Sequence, residues 1–113
     1  MYYDAKDYIV QIAQISGKES FLPMLQEECS ELIVAVNKFQ RSLGIVNSPT
    51  PISAQDAMEM IREEITDVQM MIDAVLYSWF GVEPDSEETR NEHLERIKWV
   101  RWLRRLNNGN TGS

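Results

Sequence analysis

Two short acidic stretches hold the residues best suited to chemistry in this chain: Glu27-Glu28-Cys29-Ser30-Glu31 and, further on, Glu64-Ile65-Thr66-Asp67. On a helix, positions three or four apart share a face. Glu28 with Glu31 and Glu64 with Asp67 are therefore two acid-x-x-acid pairs. Glu28 falls between Leu25 and Leu32, Glu31 beside Ala35, and Glu27 one turn before Glu31. Glu64 occupies the turn between Met60 or Ile61 and Val68, and Asp67 stands one turn before Met71. Each pair thus sits at an apolar stripe rather than on a wet face, where dehydrating an unpaired carboxylate is costly. A single such glutamate reads as a solvated side chain paired with a base one turn on. The doubled pattern does not, because Glu28, Glu31 and Glu64 have no Lys or Arg four residues later. Four carboxylates meeting between two helices repel unless protonated or neutralised, and a hard divalent cation is the economical remedy. Magnesium is the first expectation, with manganese as a substitute. Magnesium takes oxygen ligands in near-octahedral geometry and keeps waters, leaving positions for phosphate oxygens. Such a centre can activate water and offset charge on a phosphoanhydride.

The elements that must position these acids are helices. Ala5, Tyr8, Ile9, Ile12 and Ile15 recur at helical spacing from Asp4 to about Ile15, and Gly17 follows as a terminator. Ser20 can cap a second helix with Pro23 in its first turn, running to about Ser42 on a stripe of Leu25, Cys29, Leu32, Val36 and Phe39. From Leu43 to Ser53, Gly44, Asn47, Ser48, Pro49 and Pro51 read as a connecting loop. Ser53 and Asp56 make a capping-box-like start to a third helix over about Ala54 to Phe80. Its apolar residues are Ala57, Met60, Ile61, Ile65, Val68, Met71, Ile72, Val75, Leu76 and Trp79, and Gly81 and Pro84 end it. A fourth, about Ser86 to Leu106, opens with Glu87 and Glu88 and closes with Lys98, Arg101, Arg104 and Arg105, matching the helix dipole. Residues 1–106 are expected as one all-α, four-helix-bundle-like domain, and residues 107–113 as a flexible tail.

Composition agrees with one domain: 113 residues, 43% of them hydrophobic, can bury a core without staples. Eighteen acidic against 11 basic residues give a net charge of -7. That charge excludes a protein that coats nucleic acid and suits one that gathers cations. The lone cysteine, Cys29, allows no internal disulfide and fits a reducing compartment. The most apolar stretch, Val68 to Val82, is interrupted by Asp73 and too short to span a bilayer, and no signal peptide is read at the start. The expectation is a cytoplasmic protein with neither nucleic acid nor membrane as partner.

With the surrounding "FLPMLQEECSELIVAVNKFQR" and "IREEITDVQMMIDAVLYSWFGV", the pattern Glu-Glu-x-x-Glu followed by Glu-x-x-Asp resembles the MazG-like all-alpha nucleoside triphosphate pyrophosphohydrolases over roughly residues 20 to 100. The resemblance implies that family's helical fold, a magnesium centre, and cleavage of a nucleotide between the alpha and beta phosphates. It implies Glu28, Glu31, Glu64 and Asp67 as metal ligands, with Glu27 as a further ligand or as the base for the attacking water and Glu28 beside it in catalysis. "NEHLER" is similar to a downstream family segment that meets the triphosphate, which suggests Asn91 and Arg96 as substrate contacts. Lys38, two turns beyond the first acids, is a further candidate for phosphate oxygens. Phosphoribosyl-ATP pyrophosphohydrolase is the rival among enzymes, and a non-catalytic helical interaction module the rival from another class.

Other residues have plainer readings. Trp79, Trp99 and Trp102 at helical spacing are expected in cores or subunit contacts, and the methionines likewise. Cys29 with His93 would be a thiol pair, but no glycine-rich oxyanion loop accompanies it. A di-iron carboxylate bundle needs Glu-x-x-His pairs, and the sole histidine, His93, has Arg90 three residues before it. Long apolar stripes on so few helices imply self-association, a dimer of dimers being favoured over a dimer.

Overall fold

The computed structural model describes residues 4–45 and 52–110. Asn47, Ser48, Pro49 and Pro51 of the expected loop, and residues 111–113 of the expected tail, lie outside the described residues. The chain is all-helical among the described residues: α1 (Ala5–Ser16), α2 (Phe21–Ser42), α3 (Ala54–Phe80) and α4 (Glu92–Asn110), with 3-10 turns at Lys18–Ser20 and Glu87–Thr89. None of these helices is long and apolar enough to cross a membrane.

Local chemistry sets most of the boundaries. The Asp4 carboxylate accepts from the Lys6 N–H at 3.0 Å and opens α1. The Ser53 hydroxyl accepts from the Asp56 N–H at 3.1 Å and opens α3. Gly81 closes α3 in a left-handed turn at φ 70°, its N–H donating to the Tyr77 carbonyl and the Val82 N–H to the Leu76 carbonyl, each at 3.1 Å. This is the paired closure that favours glycine.

Two starts differ from expectation. Ser20 does not cap α2: its backbone is already helical, and its hydroxyl donates to the Gly17 carbonyl at 2.8 Å, so the 3-10 turn feeds straight into the helix. The last helix begins at Glu92 rather than near Ser86, because the Asn91 Oδ1 accepts from the Leu94 N–H at 3.1 Å while the Thr89 hydroxyl closes the preceding turn on the Ser86 carbonyl at 2.8 Å. It also continues through Asn107 to Asn110 instead of stopping at Leu106. The basic residues consequently lie along its middle, not in its last turn.

α2 and α3 form the central hairpin. Phe21, at the start of α2, is buried in one cluster with Ala74, late in α3, while Glu31 meets Glu64 further along. The two helices therefore run antiparallel. Ala35 and Ala57 are fully buried, and their small side chains let the helices approach. α1 lies against the later half of α3, with Ile9 joining Phe21 and Ala74 and half-buried Ala13, Met71, Val75 and Tyr77 around them. The corner is pinned where the Trp79 indole N–H donates to the Lys18 carbonyl at 3.2 Å and the Lys18 ammonium sits 4.4 Å from the same ring.

The expected bundle is only partly realised in one chain. α4 has no appreciable packing against α1, α2 or α3. The radius of gyration is 18.3 Å, against about 13 Å for a compact chain of this length. Cys29 and Val36, expected on a buried stripe of α2, are exposed, as are Ile65, Ile72 and Trp79 of α3. The apolar arc of each helix is wider than one neighbour can cover.

Candidate metal centre

The hairpin brings together the two acidic pairs. Glu28, Glu31, Glu64 and Asp67 each offer one carboxylate oxygen such that all four lie within 4.8 Å of one another. Antiparallel pairing explains the match: Glu28 and Glu31 are one helical turn apart, as are Glu64 and Asp67, so two turns stand level and project toward one point. Glu28, Glu64 and Asp67 are half-buried and Glu31 is exposed, which gives the cluster a closed floor and an open side.

The electrostatics are those of crowded acids. Dehydration is the main cause that raises the Glu28 carboxyl above its ordinary value, followed by the charges of Glu31 and Asp67. Glu64 is raised for the same reasons in the same order, and Glu63, its neighbour in sequence, adds to the field. One oxygen of Glu28 and one of Glu64, Oε2 in each, are enclosed without a hydrogen-bond partner. An enclosed, partnerless carboxylate oxygen calls for a proton or a cation.

The donor set suits a hard cation. All four ligands are oxygens, with neither thiolate nor imidazole among them. Opposite oxygens of an octahedral shell are about 4.2 Å apart for bonds of about 2.1 Å and about 4.8 Å apart for bonds of about 2.4 Å. The four donors already lie within the wider of these spans.

The other site candidates are placed differently. Glu27 is exposed, one residue before Glu28 and one turn before Glu31, on the open side of the cluster but outside the group of four. Lys38 is half-buried toward the far end of α2. Thr89 and Arg90 line a cleft with Gln69, Ile72 and Asp73, and on a helix Gln69 points almost directly away from Asp67. Asn91 and Arg96 follow from there, Arg96 on α4, which has no appreciable packing against α2 or α3. The Asn91 Oδ1 is engaged as a helix cap, and Arg96 lies along α4 with His93, Arg101 and Arg104. Compared with protein-family models, with curated proteins and with solved structures, the chain matches none, so its own residues carry the case for what this centre does.

Proposed function

We propose that this chain is a magnesium-dependent nucleotide pyrophosphohydrolase that converts nucleoside triphosphates to the monophosphate and pyrophosphate. The observation that carries the reading is the convergence of two acid-x-x-acid motifs, far apart in sequence, within 4.8 Å, with two enclosed oxygens left partnerless. Glu28, Glu31, Glu64 and Asp67 would hold the divalent cation, which when bound would supply charge against the triphosphate and acidify water. Glu28 and Glu64, each half-buried with one enclosed oxygen, form the floor. Glu31 and Asp67 flank the open side, through which a phosphate chain enters. Glu27, on that same side and not among the four, is placed to take the proton of the attacking water. The resemblance of both motifs and their order to the MazG-like enzymes supports the choice of substrate class.

The test is pyrophosphate release from a panel of canonical and modified triphosphates, with phosphoribosyl-ATP beside them. Turnover is expected with magnesium, with manganese as a substitute, and chelation should abolish it. Glu64→Gln and Asp67→Asn should each lower it by at least ~100-fold while helicity by circular dichroism is kept. Release only from phosphoribosyl-ATP would move the substrate to that compound. Cation binding by titration calorimetry without any turnover would make the chain a helical binding module.

A further inference from the structure

The charge of this chain is not spread evenly. α4 carries Arg96, Lys98, Arg101, Arg104 and Arg105 against Glu92 and Glu95, a net of +3, while the whole chain has a net charge of -7. The remainder therefore carries -10, and from Arg96 to Asn110 α4 holds no acid at all. The same helix has no appreciable packing against α1, α2 or α3. At about 100° per residue, Trp102, Leu106, Trp99 and Leu103 fall in that order within one sector of roughly 100°. These four side chains are 53% (Leu106) to 63% (Trp99) exposed. Lys98 lies about 40° beyond the Trp102 edge and Arg96 about 20° beyond the Leu103 edge, so a base borders the sector on each side. Arg101 and Arg104 are turned away from it. Ile97 and Val100 are on that far side too, less exposed than the four and sharing a cleft with Arg96, Arg101 and Arg104. Glu92 and Glu95 fall in the apolar sector but precede Arg96, and Glu95 is paired with Arg90 at 2.7 Å.

We propose that α4, from Arg96 onward, lies flat on an anionic lipid surface, with the tryptophan sector at the headgroup boundary and the bordering bases on lipid phosphates. Three observations favour a lipid surface over other occupants. The first is charge: five bases without an acid match a negative surface, whereas a second α4 would set like charges against each other. The second is shape. Trp99 and Trp102 stack with ring centroids 5.6 Å apart and planes 8° from parallel. Together they present one broad slab suited to a layer, in place of the separate knobs that a helix fits into the pockets of a protein groove. The third is the apolar sector itself: a nucleic-acid backbone would pair with the bases and leave four large apolar side chains in water. Lys98 and Arg96, at the edges, can lay their stems along the sector and reach phosphate with their charged ends. The expectation of no membrane partner rests on the charge of the whole chain and on the lack of a segment able to span a bilayer. Neither bears on a helix that lies on a surface.

The experiment is flotation of the full chain with vesicles of equal parts phosphatidylglycerol and phosphatidylcholine, beside vesicles of phosphatidylcholine alone. The chain should float with the first and not with the second, and rising salt should release it. Arg101→Glu with Arg105→Glu should weaken binding at least ~10-fold. Arg41→Glu with Arg62→Glu, the same change of charge at exposed positions of the hairpin, should weaken it by less than ~3-fold. Trp102→Ala, which leaves the charge alone, should weaken it at least ~5-fold. All five positions are exposed, so helicity by circular dichroism should be preserved. Trypsin gives a readout that needs no variant: cleavage after Arg101, Arg104 and Arg105 should slow at least ~10-fold on the anionic vesicles. No flotation, equal flotation with neutral vesicles, binding unmoved by Arg101→Glu with Arg105→Glu or by Trp102→Ala, or an equal loss in the hairpin pair would each overturn the proposal. Retention of a single-stranded oligonucleotide in place of vesicles would assign α4 to nucleic acid, and trypsin protection on concentrating the protein alone would assign it to a second copy. Either result overturns the lipid surface as well. The hydrolytic reading stands or falls separately, since pyrophosphate release from soluble triphosphates needs no vesicle.

Discussion

Glu28 and Glu64 are the residues on which the acid cluster turns, and their protonation couples the site to folding. Both carboxyls are raised by dehydration first and by neighbouring carboxylates second. Asp73 is raised in the same way, by dehydration and then by Asp85. The folded chain thus holds these protons more tightly than the unfolded chain. Between the ordinary carboxyl value and the raised one, stability grows as pH falls and is lost as pH rises. Without divalent cations the thermal midpoint is expected to rise as the pH is lowered from neutrality toward the ordinary carboxyl value. Glu64→Gln should raise the midpoint at neutral pH and flatten that slope, and magnesium should flatten it in the wild type. A cation-free midpoint that falls steadily over this range would count against the crowded-acid account. The four acids were legible in the sequence because i, i+3 spacing on a helix fixes direction from local geometry. The neighbours of Asn91 and Arg96 were not, because no local period says which distant element a fourth helix will meet.

Among the elements, α3 shows most directly how sequence punctuates structure. Ser53 caps it and Gly81 closes it, both as their types suggest. Gly81→Ala is expected to destabilise the chain by about 1 kcal/mol, a lowering of roughly 4–8 °C in the midpoint for a domain of this size. No atom lies within 4 Å of where the added methyl would stand, so the loss would be conformational alone. Ser53→Ala should cost a similar ~1 kcal/mol through the freed Asp56 N–H. A midpoint unchanged in both variants would mean that packing, not the ends, sets the limits of α3. The starts of α2 and α4 were harder to read. Ser20 has the type of a cap but spends its hydroxyl on Gly17, and Ser86 competes with Asn91, whose side chain reaches the third amide of the helix. Several polar residues in a row can each cap, and the hydrogen bond actually made depends on how the chain enters. The stripe of α2 is only partly buried for a related reason: an apolar arc reveals how much surface wants cover, not how much of it one neighbour reaches.

At the scale of the whole molecule, three helices hold together and the fourth stands clear. The unit formed by α1, α2 and α3 contains every fully buried side chain among the described residues, namely Phe21, Ala35, Ala57 and Ala74, and also Ile9. A chain shortened to end at Arg90 should therefore melt within ~3 °C of the full chain and keep its cation response. A shortened chain that no longer folds would show that α4 contributes packing through assembly. The all-helical class was readable because hydrophobic period and caps are local. The detachment of α4 was not, since a basic, tryptophan-bearing helix gives the same period whether or not it is packed.

Two of the chain's three indoles, Trp99 and Trp102, lie stacked on α4 with ring centroids 5.6 Å apart, both exposed, whereas Trp79 is held under Lys18 at the pinned corner. The protein consequently carries its own optical gauge. Emission from the projecting pair reports whether α4 stands in water, and iodide or acrylamide quenching can follow a surface closing over it without any added dye.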